Sequence, residues 1–203
     1  MPEPAFLVEG QMEQRIIRKL CPNRPVRLIG CNGDDVSMAA VAKALNAQMR
    51  LLRAYSPIVI LLDRERREKR CPELIQELSS CLDSYNHNGR YVIGIADRTI
   101  ENWILSDRPN IVARDPRYKP LDADVEGEHG KSVIRRLLPT GLIYHETTVG
   151  VELFLRCRAS QIFAVNKSFQ LLIAHLNLEC WWLKDIDPRF SPTSWSETEA
   201  QQN

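Results

Sequence analysis

A chain of 203 residues with 44% hydrophobic content fits one globular domain with a small appendage and permits a full core. Its formal net charge of +1 gives no general argument for binding to nucleic acid or membranes, so any nucleic-acid site would be local. No apolar stretch approaches the length of a membrane span, and the N-terminus lacks the pattern of a signal peptide. The six cysteines form no zinc-type spacing, which favours reduced thiols and a cytoplasmic location.

Strand and helix patterns alternate over the first hundred residues. Short apolar runs predict buried strands at 5–8, 26–29, 58–62 and 90–96. Helical spacing of apolar residues predicts helices at about 11–20, 36–54 and 72–85, and a fourth helix that begins near residue 100. This order predicts an α/β fold with a mainly parallel four-stranded sheet and helices on both faces.

The second half of the chain predicts a helical extension. Residues 108–128 are rich in Pro, Asp and Arg and predict a long surface loop, and helical patterns resume at 132–138, 148–156 and 169–176. The resulting division is an α/β core at 1–107, a loop and helical extension packed on it at 108–187, and a polar tail at 188–203 that is expected to be disordered.

Acidic residues follow three of the four predicted strands. They are Glu9 and Glu13 after the first strand, Asp63 and Glu65 around Arg64 after the third, and Asp97, Thr99 and Glu101 after the fourth. The carboxyl ends of parallel strands meet at one sheet edge, where crowded carboxylates repel one another unless a cation neutralises them. Oxygen ligands suit Mg²⁺ or Mn²⁺, and two such ions about 3.5–4 Å apart can promote phosphodiester cleavage. The alternative is solvated acids: a helix-start carboxylate at Glu13 and a turn paired with its own arginines.

Three short motifs resemble the Toprim domain. They are Val8-Glu9-Gly10-x-x-Glu13, Leu62-Asp63-x-Glu65 and Thr99-x-Glu101-x-Trp103-x-Leu105. They are most similar to the Toprim domain of the OLD (overcoming-lysogenization-defect) nucleases and of a small related bacterial family. Lys131, Tyr144, Gly150 and Ser168-Phe169 follow in the order that the small family shows, so the resemblance covers roughly residues 5–177.

The resemblance implies a compact Rossmann-like sheet and metal-dependent cleavage of nucleic acid. The positions that match the binding of two Mg²⁺ or Mn²⁺ ions are Glu9, Glu13, Asp63, Glu65, Thr99 and Glu101. The implied catalytic residues are Glu9, Asp63, Glu65 and Lys131, the last of which matches a lysine proposed to stabilise the transition state. The family usually has aspartate where Glu65 stands, and glutamate reaches farther. Lys131 follows the long predicted loop at 108–128.

The resemblance also implies a setting. Proteins of this type work beside an ABC- or SMC-like ATPase in bacterial defence against phage, with DNA favoured over RNA as substrate and a homo-oligomer left open. The chain is expected to bind no ATP itself, because Gly127-x-x-Gly130-Lys131-Ser132 has Val125 where a P-loop requires its first glycine. Two alternatives remain: a non-catalytic regulatory or assembly subunit, and a phosphoryl or nucleotidyl transferase.

Two further groups of residues have both a functional and a structural interpretation. Arg64, Arg66 and Arg67 are predicted either to hold nucleic-acid phosphates beside the acids or to form a solvated loop. Trp103 is predicted to lie in the core. The segment 147–185 is predicted to dock a partner through its large apolar residues, namely Phe169, Leu172, Trp181 and Trp182, although the tryptophan pair also fits a core edge.

Overall fold

The computed structural model describes residues 3–31, 33, 35–87, 91–119, 127–176 and 180–186. Four strands form one sheet: β1 (Ala5–Val8), β2 (Val26–Leu28), β3 (Ile58–Asp63) and β4 (Tyr91–Ala96). Their order is β2-β1-β3-β4, and every pairing is parallel. All six residues of β3 are buried, as expected for a β-branched, apolar central strand. The predicted α/β class, with a Rossmann-like sheet and a helical C-terminal part, is therefore confirmed.

The described residues form nine α-helices. They are α1 (Gln11–Leu20), α2 (Met38–Leu51), α3 (Cys71–Asp83), α4 (Glu101–Ser106), α5 (Arg108–Arg114), α6 (Gly130–Leu137), α7 (Val151–Arg156), α8 (Ala159–Val165) and α9 (Lys167–His175). A π-helix (Glu146–Gly150) precedes α7, and a short 3-10 helix (Trp181–Leu183) follows α9. None of the described helices has the length and apolar character needed to cross a membrane.

One predicted loop proved wrong in part. Residues 108–114 form α5, where Pro109 occupies the first turn, in which its missing N–H needs no partner. Ile111 anchors this helix in the core at 3% exposure. Helix α8 was not predicted, because its seven residues are too few to establish a helical period. Residues 120–126 of the predicted loop and the predicted disordered tail at 188–203 lie outside the described residues.

Each face of the sheet is covered by helices. Because successive side chains of a strand point to opposite faces, Leu7 and Ile60 pack on one side, and Phe6 and Leu61 pack on the other. Helices α2 and α3 cover the first face. The second face is covered by α1 together with helices of the C-terminal half, among them α4, α7 and α9. The extension therefore supplies more than half of the core residues on the second face and none on the first.

The large apolar residues of the extension are mostly core residues, which corrects the predicted docking surface. Phe169, Leu172 and Trp182 are 1%, 4% and 8% exposed, whereas Trp181 is 58% exposed. Trp103, predicted to be core, is 3% exposed and packs edge-on against Phe169 with ring centroids 5.1 Å apart. The buried residues of this group cover the second face of the sheet, so they are not available to a partner. Trp181 is the exposed exception.

Candidate functional site

A cleft of about 320 Å³ lies at the carboxyl edge of the sheet. The pairing register places the ends of β1, β3 and β4 side by side, so the residues that follow these strands converge there. Six of the predicted site residues line this cleft: Glu9, Glu13, Asp63, Glu65, Glu101 and Lys131. Sequence reasoning thus identified residues that the fold brings together from β3, the residue after β1, three helices and one loop.

Two of the acids are fixed by backbone hydrogen bonds across the sheet edge. The N–H of Asp63 donates to Glu9 Oε2 at 2.8 Å, which joins the end of β1 to the end of β3. The N–H of Ile100 donates to Asp63 Oδ1 at 2.9 Å, which joins β3 to the turn before α4. Asp63 is only 6% exposed. Both carboxylates are therefore part of the framework as well as of the cleft, and their orientation is set by the backbone.

The carboxylate of Glu13 lies close to the glycine that precedes α1. A Cβ at Gly10 would lie 2.7 Å from Glu13 Oε2, so a side chain there would displace this oxygen. Gly10 has an extended backbone, with φ −122° and ψ 173°, which any residue can adopt. A side chain at position 10 would therefore act on the Glu13 carboxylate and not on the backbone. Glu13 is 6% exposed, and its Oε2 is buried without a hydrogen-bond partner among the described residues.

Glu101 is oriented by a tyrosine that only the resemblance, and no residue pattern, singled out. The hydroxyl of Tyr144 donates to Glu101 Oε1 at 3.0 Å. Burial and the charge of Glu101 raise the pKa of Tyr144, which keeps the hydroxyl protonated as a donor. Gly150 leaves room for that hydroxyl, since a Cβ there would lie 2.5 Å from it. Glu101 Oε2, by contrast, has no hydrogen-bond partner within the described parts of the chain.

Glu146 is a member of the cleft that sequence reasoning missed. It begins the π-helix, an uncommon element that frequently occurs at functional sites. Its Oε2 lies 3.4 Å from Lys131 Nζ, so the lysine is paired with an acid on the far wall of the cleft. No strand end or helical period precedes Glu146, and only its neighbour Tyr144 in the resemblance indicated this stretch.

The carboxylates of the cleft repel one another when they are all ionised. Burial, reinforced by the charges of Glu101 and Glu9, raises the pKa of Glu13 to about 7. Burial and the neighbouring acids, first among them Glu13, raise the pKa of Asp63 well above its usual range, and burial also raises that of Glu101. Without a cation, these carboxyls therefore retain protons at a higher pH than free carboxyls do.

Lys131 stays charged despite its partial burial. Burial lowers its pKa, but the charges of Glu101, Asp63 and Glu146 outweigh this effect and raise the pKa of Lys131 to about 12. The lysine is therefore a permanent cation within the cleft and does not act as a general base near neutral pH. Its place in the first turn of α6 brings it into the same cleft as the acids.

Two predicted residues occupy less central positions. Thr99 is fully buried in the turn before α4 and does not form part of the cleft wall. Glu65 lies on the wall with a left-handed backbone, φ +54°, and its Oε2 is 3.7 Å from His129 Nε2. Its N–H donates to the carbonyl of Arg98 at 2.8 Å, which holds this strained turn in place.

The arginines predicted to bind nucleic acid hold the loop that follows β3. Arg64 is 8% exposed, and its guanidinium pairs with Asp97 Oδ1 at 2.6 Å. Arg67 donates to backbone carbonyls, including those of Asp63 at 3.1 Å and Gly33 at 2.8 Å. Direct phosphate contacts by these two residues would require their bonds to be exchanged. Arg66 is exposed beside them, and its contact with nucleic acid stays a prediction.

The donors of the cleft fit a hard divalent cation chemically, although the site is not preformed. Carboxylate oxygens are the ligands that Mg²⁺ and Mn²⁺ prefer, and the unpartnered oxygens of Glu13 and Glu101 are buried. Within the described ranges, no three Asp, Glu, His or Cys side chains have the spacing of a complete metal site. Metal binding would therefore require the carboxylates to draw closer together around the ion.

The chain matches no family model, no curated protein and no solved structure.

Proposed function

We propose that this protein is a Toprim-type nuclease that hydrolyses phosphodiester bonds of nucleic acid with the help of Mg²⁺ or Mn²⁺, bound as two ions. One observation carries the proposal: six carboxylates and one lysine line a single cleft at the carboxyl edge of a parallel sheet. An acidic cluster of this density is unstable without a counter-charge, and divalent cations supply that charge at nuclease sites.

The cations would be held by Glu9, Glu13, Asp63, Glu65 and Glu101. Glu13 and Glu101 offer buried oxygens whose hydrogen-bonding capacity is unused among the described residues, which supports their role as ligands. Thr99, which is buried two positions before Glu101, would support Glu101 from behind the cleft wall. A bound cation supplies an activated water and stabilises the negative charge that develops on the phosphate.

The residues of the chain contribute orientation and one fixed positive charge. Glu9 and Asp63 are held by backbone N–H groups, so little reorganisation is needed for them to present their carboxylates. Lys131 exchanges its contact with Glu146 for a phosphate oxygen, where its charge opposes the build-up of negative charge. The cleft thus combines carboxylates that the backbone orients with the positive charge of Lys131.

The substrate and the partner are inferred from charge and from the resemblance. The formal net charge of +1 supplies little non-specific affinity for nucleic acid, so other subunits are proposed to hold the substrate. An ABC- or SMC-like ATPase is the partner that the Toprim resemblance implies, in a bacterial antiviral system. DNA is the favoured substrate, and assembly with a second copy of the chain is compatible with this scheme.

A second candidate function is a non-catalytic regulatory subunit with an acidic but inactive cleft. The absence of a preformed three-ligand group within the described ranges favours it. A phosphoryl or nucleotidyl transferase would use the same acids but would transfer the phosphoryl group to an acceptor other than water. Product analysis separates these possibilities, because hydrolysis alone leaves shortened nucleic acid with no added group.

The experiment is a cleavage assay on single- and double-stranded DNA and on RNA with Mg²⁺, Mn²⁺ or EDTA, both alone and with a co-encoded ATPase. Asp63→Asn and Glu101→Gln keep the shape of the side chain and remove its charge, and we expect each to lower the cleavage rate by about 100-fold or more. Glu77→Gln, at a surface residue paired with Lys69, is the matched control and should cleave normally. Cleavage that persists in EDTA, or in both cleft variants, would refute the proposal.

A further inference from the structure

Two cysteines far apart in the sequence have adjacent sulfur atoms. Cys21 directly follows the last residue of α1, and Cys180 precedes the 3-10 helix Trp181–Leu183. Their Sγ atoms are 3.8 Å apart, although 159 positions separate them in the chain. Cys180 is 8% exposed and Cys21 is half-buried, so Cys21 is the more accessible residue of the pair.

We propose that Cys21 and Cys180 form a reversible disulfide when the protein meets hydrogen peroxide. The Cys180 thiolate attacks the peroxide oxygen, the O–O bond breaks, and the released hydroxide takes a proton to become water. The Cys21 sulfur then attacks the sulfenic acid of Cys180. The S–S bond forms as the S–O bond breaks, and the second oxygen also leaves as water. The two thiols lose two electrons and two protons, and the peroxide is reduced to two molecules of water.

The surroundings of the pair assign different roles to the two cysteines. The Cys21 thiol donates a hydrogen bond to the Cys180 sulfur. This bond, followed by the backbone N–H groups of Trp182 and Leu183, lowers the pKa of Cys180 although burial acts in the opposite direction. The same hydrogen bond, together with burial, raises the pKa of Cys21. Cys180 is therefore the attacking thiolate, and Cys21 is the thiol that resolves the sulfenic acid.

The disulfide would fasten the C-terminal turn to the end of α1. Trp182 follows Cys180 closely and packs against Phe154 and Phe169 in the core. A bond that closes so long a loop restricts the unfolded chain, so the oxidised protein should unfold at a higher temperature than the reduced protein. This consequence does not depend on the proposed nuclease function.

The test is quantitative thiol labelling of the full chain. The reduced protein is treated with hydrogen peroxide in its native state, its remaining thiols are alkylated, and peptides are mapped by mass spectrometry without reduction. We expect wild type to lose two alkylatable thiols, to yield one peptide that joins Cys21 to Cys180, and to regain both thiols with dithiothreitol. Cys21→Ser and Cys180→Ser should each prevent the cross-link.

A matched control comes from another partly buried thiol. Cys81 has no sulfur neighbour among the described contacts, so Cys81→Ser should form the same cross-link as wild type at the same rate. Should Cys180→Ser fold poorly, Cys21→Ser alone decides the question, because it lies at the partly exposed end of a helix. Six alkylated thiols after native oxidation, or a cross-link that joins other cysteines as readily, would overturn the proposal.

Discussion

The hydroxyl of Tyr144 lies 3.0 Å from Glu101 Oε1, and both residues are almost fully buried. Oε2 of the same carboxylate has no hydrogen-bond partner in the described ranges. It is therefore the oxygen that could bind a cation. Tyr144→Phe should therefore weaken Mn²⁺ binding by about 10-fold or more, since the carboxylate loses the donor that favours its ionised form. Isothermal titration measures this change without any need for activity.

The control for Tyr144 is a second buried tyrosine away from the cleft. Tyr118 is 3% exposed, and its hydroxyl accepts a hydrogen bond from Arg114 at 3.1 Å. Tyr118→Phe should cost about 1 kcal/mol of folding free energy, as a lost hydrogen bond typically does, and should leave Mn²⁺ affinity unchanged. Equal Mn²⁺ affinities for the two variants would show that Tyr144 has only a structural role.

The raised pKa of Glu13 predicts how stability depends on pH. Its pKa is about 7 in the folded protein against 4.5 for an unperturbed glutamate, so the folded state binds the proton more tightly. The stability that Glu13 contributes is therefore fully present below about pH 4.5 and is lost as the pH rises through about 7. For Glu13 alone the loss is on the order of 3 kcal/mol.

Denaturant unfolding in EDTA at several pH values measures this dependence. Glu13→Gln should flatten the decline between about pH 4.5 and 7, because the variant has no proton to release there. In wild type, saturating Mn²⁺ should also reduce the decline, since the cation replaces the proton as counter-charge. A variant with the same slope as wild type would show that Glu13 is not the titrating group.

The contact between Gly10 and Glu13 predicts a non-additive pair of substitutions. Gly10→Ala should destabilise the protein by about 1 kcal/mol, because the new methyl group would lie 2.7 Å from Glu13 Oε2 and the buried carboxylate would have to shift away from it. In the Glu13→Ala background the carboxylate is gone, so Gly10→Ala should have little effect. The four proteins form a double-mutant cycle measured by denaturant unfolding. Additive effects would mean that the glycine is required for another reason.

Two adjacent tryptophans predict opposite outcomes. Trp182 is 8% exposed and its Nε1–H donates to the carbonyl of Cys157 at 2.8 Å, so Trp182→Ala should destabilise by about 3–5 kcal/mol. Trp181 is 58% exposed, and Trp181→Ala should change stability by less than about 0.5 kcal/mol. Thermal melts of the two variants provide the comparison. A large loss of stability on Trp181→Ala in the isolated chain would contradict the exposed position of Trp181.

The sheet and its acidic edge were predictable because they rest on short-range patterns. An apolar run such as 58–62 indicates a buried strand, and parallel order along the chain then places Glu9, Asp63 and Glu101 at one edge. These inferences need only the period of the side chains and the rule that connections between parallel strands are crossovers.

The far wall of the cleft and the second core face were not predictable in the same way. Glu146 enters the cleft through a π-helix, which has no residue pattern of its own, and its partner Lys131 lies across a tertiary contact. Trp182 was predicted to dock a partner, but it is 8% exposed. The sequence does not reveal which face of the sheet the C-terminal helices cover. The guanidinium groups of Arg64 and Arg67 likewise donate hydrogen bonds to acceptors that only the folded chain brings near them.

The division of the core between the two halves of the chain has a consequence during synthesis. When residue 106 has left the ribosome, all four strands and most of the acids of the cleft exist, but one face of the sheet lacks the cover of α7 and α9. Lys131, Tyr144 and Trp182 emerge only later. The acidic edge therefore cannot reach its final geometry on a nascent chain, and the nascent sheet exposes an apolar surface that chaperones can recognise.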